Sequence, residues 1–163
     1  MSHVADPDTS ALRFPVSAGI FIGLGLGGFF DGIVFHQLLQ WHHMLSGWYP
    51  ISSPENLKLN IFWDGLFHSG TYVLLLIGVF ILWRAAHRLH LIWSNAFLFG
   101  SVLLGWGIFN LVEGIVDHAL LGVHHVNELV DPSHRLFWDF GFLISGGLMA
   151  AAGWALLAAN RPR

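Results

Sequence analysis

The sequence predicts an all-α integral membrane protein built as a bundle of four transmembrane helices. Of its 163 residues, 55% are hydrophobic and only 10% are charged, and the mean hydropathy is +0.62. A soluble domain carries about 25% charged residues. The apolar residues also fall in four blocks, each near the roughly 20 residues that cross a bilayer. Because unpaired sheet edges are excluded from lipid, the blocks are expected to be helices and the lipid bilayer is the predicted partner.

The predicted spans cover about 16–45, 59–84, 93–122 and 135–159. Residues 1–15 are expected to form an N-terminal tail, and residues 16–163 a single transmembrane domain. The first span is interpreted as a retained helix, since no small-x-small cleavage site precedes Asp31. Polar clusters interrupt the first and third spans, but an apolar run resumes after each cluster, which favours long helices.

Lysine and arginine are distributed unequally between the two sides of this arrangement. One side, which carries both termini and the middle connector, holds Arg13, Arg84, Arg88, Arg161 and Arg163. The other side holds only Lys58 and Arg135. The positive-inside rule therefore places both termini in the cytoplasm of a multi-pass plasma-membrane protein. With a net charge of −3 the chain has no basic face, so nucleic acid is excluded as a partner.

An acidic and histidine-rich motif occurs twice. Asp31 to His43 and Glu113 to His125 share the pattern acid-Gly-Ile-Val-x-His-x-Leu-Leu-x-x-His-His, at a constant offset of 82 residues. A second match relates Phe62-Trp63-Asp64 to Phe137-Trp138-Asp139. We therefore predict two tandem two-helix repeats, about 16–90 and 93–163. An even number of spans per copy makes the repeats parallel.

Histidine is unusually abundant, with eleven residues against seven Lys+Arg. Ionisable groups within a membrane are costly and normally face a bundle interior. At a rise of about 1.5 Å per residue, His36, His68 and His118 lie at one level in the outer half of the membrane, and Asp117 shares that level. These four residues are the predicted metal ligands.

Further polar side chains surround this level. Four acids lie within about one and a half helical turns of it and are predicted to orient the imidazoles or to hold a second metal: Asp31, Asp64, Glu113 and Asp139. Two histidine pairs are expected at the rim of the membrane, as water-exposed interfacial side chains or as groups that capture a metal: His42, His43, His124 and His125.

Histidines and carboxylates without cysteine favour zinc, iron or Cu(II) as the cofactor. Two alternatives stay open. An opposing pair such as His36 and His118 could bind haem, or buried imidazoles hydrogen-bonded to aspartates could simply tie the helices together.

The leading functional hypothesis is an integral membrane metalloprotein with a redox or hydrolytic activity. The alternatives are a metal-ion transport or delivery protein, a haem-binding electron carrier and a structural subunit of a respiratory complex. A transport path would require a homodimer, and a respiratory subunit would belong to a larger membrane complex.

Three stretches also carry a family resemblance: Phe30 to His43, Phe62 to His68, and Glu113 to His125. On these motifs the chain resembles a family of predicted bacterial membrane proteins, domain of unknown function 2243, over nearly all of its length after about residue 14. The resemblance implies a four-span protein of the bacterial inner membrane and no particular activity.

Overall fold

Four long helical spans make up the structure, a computed structural model that describes residues 14–87 and 93–160. Helix α1 (Val16–Phe30) continues into a first π-helical segment (Asp31–Leu38), and α3 (Asn95–Glu113) continues into a second (Gly114–Leu121). Helices α2 (Pro54–Ala86) and α4 (Pro132–Ala159) are uninterrupted. The described ranges contain no strand. The all-α prediction is confirmed, and each span is long and apolar enough to cross a membrane.

Two helix boundaries differ from their predicted positions. The first span ends at Leu38 rather than near 45, because the chain turns at Gln40, which has a left-handed φ of 50°. Helix α2 begins at Pro54, earlier than predicted, because Ser53 accepts a hydrogen bond from the Asn56 amide and proline suits the first turn. Of the predicted tail, residues 1–13 lie outside the described residues.

Helices α1 and α3 form the centre of the bundle. Helix α2 packs on α1 and α4 packs on α3, whereas α2 and α4 do not approach each other within the described ranges. Glycines make the close contacts. A Cβ on Gly23 would lie 2.1 Å from the Val102 carbonyl oxygen, and one on Gly105 would lie 2.2 Å from the Ile20 carbonyl oxygen. Small residues let membrane helices approach closely enough for extensive van der Waals contact.

The outer helices present large apolar side chains, such as Phe62 on α2 and Phe137 on α4, on their exposed surfaces. Exposed apolar surface on this scale is costly in water and is suited to lipid. Helices α2 and α4 therefore present apolar surfaces suited to lipid, whereas α1 and α3 pack tightly against each other.

We expect Gly105→Ala to destabilise the protein by about 1–3 kcal/mol, the usual cost of overpacking. Gly147→Ala is the matched control, because a Cβ there meets no atom within 4 Å. It should be neutral or stabilising by up to about 1 kcal/mol through helix propensity. Thermal unfolding in detergent measures both effects, and equal melting temperatures for the two variants would contradict the close α1–α3 packing.

Candidate metal centre

The first π-helical segment places an acid next to a histidine, and both segments share the same wide winding. The Leu39 amide donates to the Val34 carbonyl, and the Gly122 amide donates to the Asp117 carbonyl, each a five-residue step. This wider winding brings residues five apart to one face, whereas an α-helix would separate them. The acid-x-x-x-x-His spacing of the motif thus matches the local helix type, and Asp31 lies beside His36.

Each π-helical segment ends in a residue with left-handed backbone conformation. Gln40 has φ 50° and Gly122 has φ 57°, and the two residues occupy matching positions of the sequence motif. After these turns the chain folds back over the helix ends as a first loop (39–53) and a second loop (122–131). The loops are joined by hydrogen bonds from the Gly47 amide to the Val123 carbonyl and from the Glu128 amide to the Trp41 carbonyl.

The loops carry three of the four expected rim histidines into the protein interior. His42 and His124 are 2% and 0% exposed, and His43 is also buried. His125 is the exception, with a side chain that is 29% exposed. Sequence reasoning placed all four at the rim because it extended straight helices to 45 and 122, and it therefore missed the reversal of the chain. The left-handed position shared by Gln40 and Gly122 is the signal that could have indicated it.

Four buried side chains converge beneath the loops. His36, His42, Glu113 and His124 each offer a ligand atom, and these atoms all lie within 4.8 Å of one another. The rings of His42 and His124 are stacked, with centroids 4.4 Å apart and planes 2° apart. A histidine and glutamate cluster of this kind could bind a metal ion.

The two loops exchange hydrogen bonds that orient these stacked rings. His42 Nδ1 lies 2.8 Å from the Val126 carbonyl oxygen, and His124 Nδ1 lies 3.0 Å from the Met44 carbonyl oxygen. Since a carbonyl only accepts, each Nδ1 is the donor. Each Nε2 is buried and has no hydrogen-bond partner. A neutral imidazole held through its Nδ1–H is the usual state of a metal-binding histidine.

The environment of His124 favours that neutral form. Burial lowers the pKa of His124 well below its usual range, and the nearby imidazoles of His42, His118 and His36 act in the same direction. At neutral pH this side chain is therefore available as a ligand rather than as a cation.

Two carboxylates face the imidazoles. Asp31 Oδ2 is 3.0 Å from His36 Nε2 and 3.9 Å from His42 Nε2, and Glu113 Oε1 is 3.8 Å from His124 Nε2. None of the carboxylate oxygens of Asp31 and Glu113 has a hydrogen-bond donor. Ligand atoms at about 2.0–2.2 Å from one metal ion lie roughly 3–3.5 Å from each other. The Asp31–His36 contact lies in that range and the other two are wider, so the donor types suit a transition metal around which the side chains would draw together. Buried charge left uncompensated would cost several kcal/mol per charge.

A second pair of acids, Asp64 and Asp139, accepts hydrogen bonds from histidine Nδ1 atoms. Asp64 accepts from His36 Nδ1 at 2.8 Å and from His43 Nδ1 at 2.6 Å, and also from the Met44 amide. Asp139 accepts from His125 Nδ1 at 2.7 Å and from the Val126 amide at 3.0 Å. The sequence predicted both acids as orienting groups, and the structure places both on histidine Nδ1 atoms.

The structure brings together only part of the predicted ligand set. His36 belongs to the four-residue cluster, and His118 borders it, with its ring centroid 4.8 Å from that of His124. His68 is half-buried, and its Nδ1 lies 2.7 Å from the Asp64 carbonyl oxygen of its own helix. Asp117 is half-buried and also outside the cluster. The prediction compared only the depths of these residues in the membrane and not the directions of their side chains. Phe67, rather than His68, faces His36, with ring centroids 5.6 Å apart.

A cavity of about 260 Å³ lies between the two loops. His42 and His43 line one part of it, and Glu128 and Arg135 line another. The Arg135 guanidinium donates to the Glu128 carbonyl at 3.3 Å. The cavity offers a small polar molecule an approach to the imidazole of His42.

The fold and the cluster define a class, namely a multi-pass membrane protein with a buried histidine and glutamate site that could bind metal. The chain belongs to the predicted membrane protein family DUF2243, whose family model matches residues 18–160. The match includes both π-helical segments and both loops. No curated protein and no solved structure is significantly similar to the chain.

We expect Asp64→Asn to loosen the first loop, because the Met44 amide and two imidazoles lose a charged acceptor. A hydrogen bond to a charged group contributes about 1.5–3 kcal/mol, so amide exchange at 41–46 should accelerate about tenfold or more. Hydrogen–deuterium exchange measures this rate. The matched control is Asp131→Asn, at the exposed N-cap of α4, where asparagine caps as well as aspartate. Unchanged exchange in Asp64→Asn would contradict the anchoring role.

Proposed function

We propose that the protein is an integral membrane metalloprotein whose buried cluster holds a divalent zinc, iron or copper ion. The observation that carries this proposal is the convergence of buried ligand atoms that lack any hydrogen-bond partner. These atoms belong to Asp31, His36, His42, Glu113, His118 and His124. Buried polar groups are almost always paired. No hydrogen bond within the protein pairs these atoms, and a bound cation would pair them.

Nitrogen and oxygen ligands without a thiolate suit these metals. An ion bound there with an open coordination position would supply Lewis-acid or redox chemistry, as in a hydrolytic or redox metalloenzyme. The protein's own groups would orient the ligands and control access to the ion. The Val126 and Met44 carbonyls fix the imidazole tautomers, the loops exclude bulk water, and the loop cavity admits a small polar reactant.

The contacts favour this function over a purely structural tie between helices. Such a tie requires hydrogen bonds between imidazoles and carboxylates. Asp64 and Asp139 accept such bonds from the Nδ1 atoms of His36, His43 and His125. The inner carboxylates of Asp31 and Glu113 meet imidazoles only as ion pairs, at 3.0 and 3.8 Å, without an aligned hydrogen bond, which favours a further partner for both.

The packing also disfavours haem binding and ion transport. His36 and His118, the pair offered for haem, are both in contact with the rings of His42 and His124, with centroids 4.4 to 6.3 Å apart, so these rings occupy the space that a haem macrocycle would need. A transport path would have to continue between α1 and α3, where Gly23 and Gly105 touch the backbone of the opposite helix. A resident ion that is reached from the loop side agrees better with this geometry.

We also propose that the centre lies in the outer half of the membrane, with both chain termini in the cytoplasm. The centre is formed where the first and third spans end, far from their starts at Val16 and Asn95. Four of the five arginines that support this orientation, Arg13, Arg88, Arg161 and Arg163, lie outside the described residues. The resemblance to bacterial membrane proteins supports an inner-membrane location.

We expect tag-free protein purified in detergent to contain near-stoichiometric zinc, iron or copper and to lack a Soret band. His42→Ala and Glu113→Gln should each lose most of that metal, because each removes a ligand atom of the cluster. Elemental analysis and an optical spectrum provide the measurement. His87→Ala is the matched control, since His87 is exposed and donates to the Trp83 carbonyl.

His68→Ala separates the ligand set of the cluster from the set that helical depth predicts. Retained metal supports the cluster, whereas lost metal would make His68 a ligand. A Soret band in the wild type would identify a haem protein instead. Metal-free protein, even after supplementation, would overturn the proposal.

Removal of the metal with a chelator should lower the melting temperature, and reconstitution should restore it. A ligand present at 100 times its Kd stabilises the folded state by about 2.7 kcal/mol, and this ion would join both loops to two helices. His42→Ala should show no metal-dependent shift. If wild-type protein melts at the same temperature with and without metal, the cluster does not bind an ion in the folded state.

A further inference from the structure

The buried donors outnumber the ligands that one ion requires. We propose that the centre is dinuclear, with Asp31, His36 and His42 around one ion and Glu113, His118 and His124 around the other. This inference rests on the proposed metal function and adds the number of ions and their separate ligand sets.

The first argument concerns the atoms that a single ion leaves unpaired. An ion held by His36, His42, Glu113 and His124 satisfies the four-residue cluster. It leaves Asp31 and His118, which are 2% and 4% exposed, with no hydrogen bond to either oxygen or either ring nitrogen. A second ion provides these two side chains with a ligand bond in addition to their ion pairs with His36 and Asp139.

The second argument is that contacts within the centre occur in pairs. His36 and His42 have ring centroids 4.4 Å apart, and the matching rings of His118 and His124 are 4.8 Å apart. His42 donates to a carbonyl of the second loop and His124 donates to a carbonyl of the first.

The supporting acids repeat the same relation. Asp64 accepts from His43 and the Met44 amide, and Asp139 accepts from His125 and the Val126 amide. These pairs are what the predicted sequence repeat would produce. Each half therefore offers one carboxylate and two imidazoles, and the halves face each other across the stacked rings.

The third argument is charge. Four carboxylates are buried in and around the centre: Asp31, Asp64, Glu113 and Asp139. In the described part of the chain their ion pairs are with histidines alone. Metal ligands bind in their deprotonated forms, and with these four carboxylates ionised and the imidazoles neutral, two divalent cations balance the charge. One cation would leave an excess negative charge in a low-dielectric interior, which is costly.

The two ligand sets are related but not identical. Asp64 Oδ1 lies 2.8 Å from His36 Nδ1, whereas Asp139 Oδ1 lies 3.9 Å from His118 Nδ1. An imidazole held by a carboxylate is the better oriented and more basic ligand. We therefore expect the ion at Asp31, His36 and His42 to bind more tightly than its neighbour.

The test is the metal-to-protein ratio after equilibrium dialysis against Zn²⁺. Wild-type protein should bind two ions in two steps, and His118→Ala should bind one, with the tighter affinity retained. His87→Ala, far from the centre, should still bind two. A wild-type ratio of one would overturn the dinuclear centre but leave the proposed metal function intact, whereas a ratio of zero would overturn both.

A second measurement fixes the position of the two ions. Loading with Cu²⁺ should give an electron paramagnetic resonance spectrum with coupling between two nearby ions in wild-type protein. His118→Ala should give the uncoupled spectrum of a single ion, and His118→Gln serves if the alanine variant does not fold. Two bound ions without coupling would place the second ion outside this centre and would overturn the assignment.

Discussion

Asp31 and Glu113 are the constraint around which the rest of the structure is arranged. Both carboxylates are buried at the ends of membrane-spanning helices, and neither accepts a hydrogen bond. A buried carboxylate costs several kcal/mol unless it is compensated, and in the described part of the chain imidazoles are the ion-pair partners of both acids. The π-helical winding brings His36 beside Asp31, and the loops bring His42 towards Asp31 and His124 towards Glu113. The helix type, the loop reversal and the burial of imidazole therefore serve a single electrostatic requirement.

The reciprocal contacts between the loops explain how that requirement can be met in a small protein. Neither loop orients its own histidine, because the carbonyl that holds His42 belongs to Val126 and the one that holds His124 belongs to Met44. Each loop is in turn held by an aspartate on the helix that follows it. Disturbance of one half therefore reaches the other, and the centre depends on both halves being folded.

Composition and spacing are sufficient to predict the spans, their number and the residue types of the site. The matched motifs also indicate Asp31, Glu113 and their histidines as groups with a shared role. The four-residue cluster could not be predicted from helical depth, because an argument from depth assumes straight α-helices. The π-helical segments rotate His36 towards Asp31, and the left-handed turns at Gln40 and Gly122 carry His42 and His124 inward. Both effects are local backbone departures that an average helix geometry does not contain.

The two ends of the bundle have opposite physical requirements, and the distribution of glycine separates them. Between α1 and α3, Gly23 and Gly105 bring backbones into contact, which provides dispersion energy. The buried Ser101 hydroxyl at this interface is satisfied by carbonyls of its own helix. At the other end lie the buried carboxylates and imidazoles, and the loops close over them. A protein that conducted ions would require polar groups along the whole length of α1 and α3. Concentration of those groups at one end instead supports the proposal of an ion that is bound, retained and approached from the loop side.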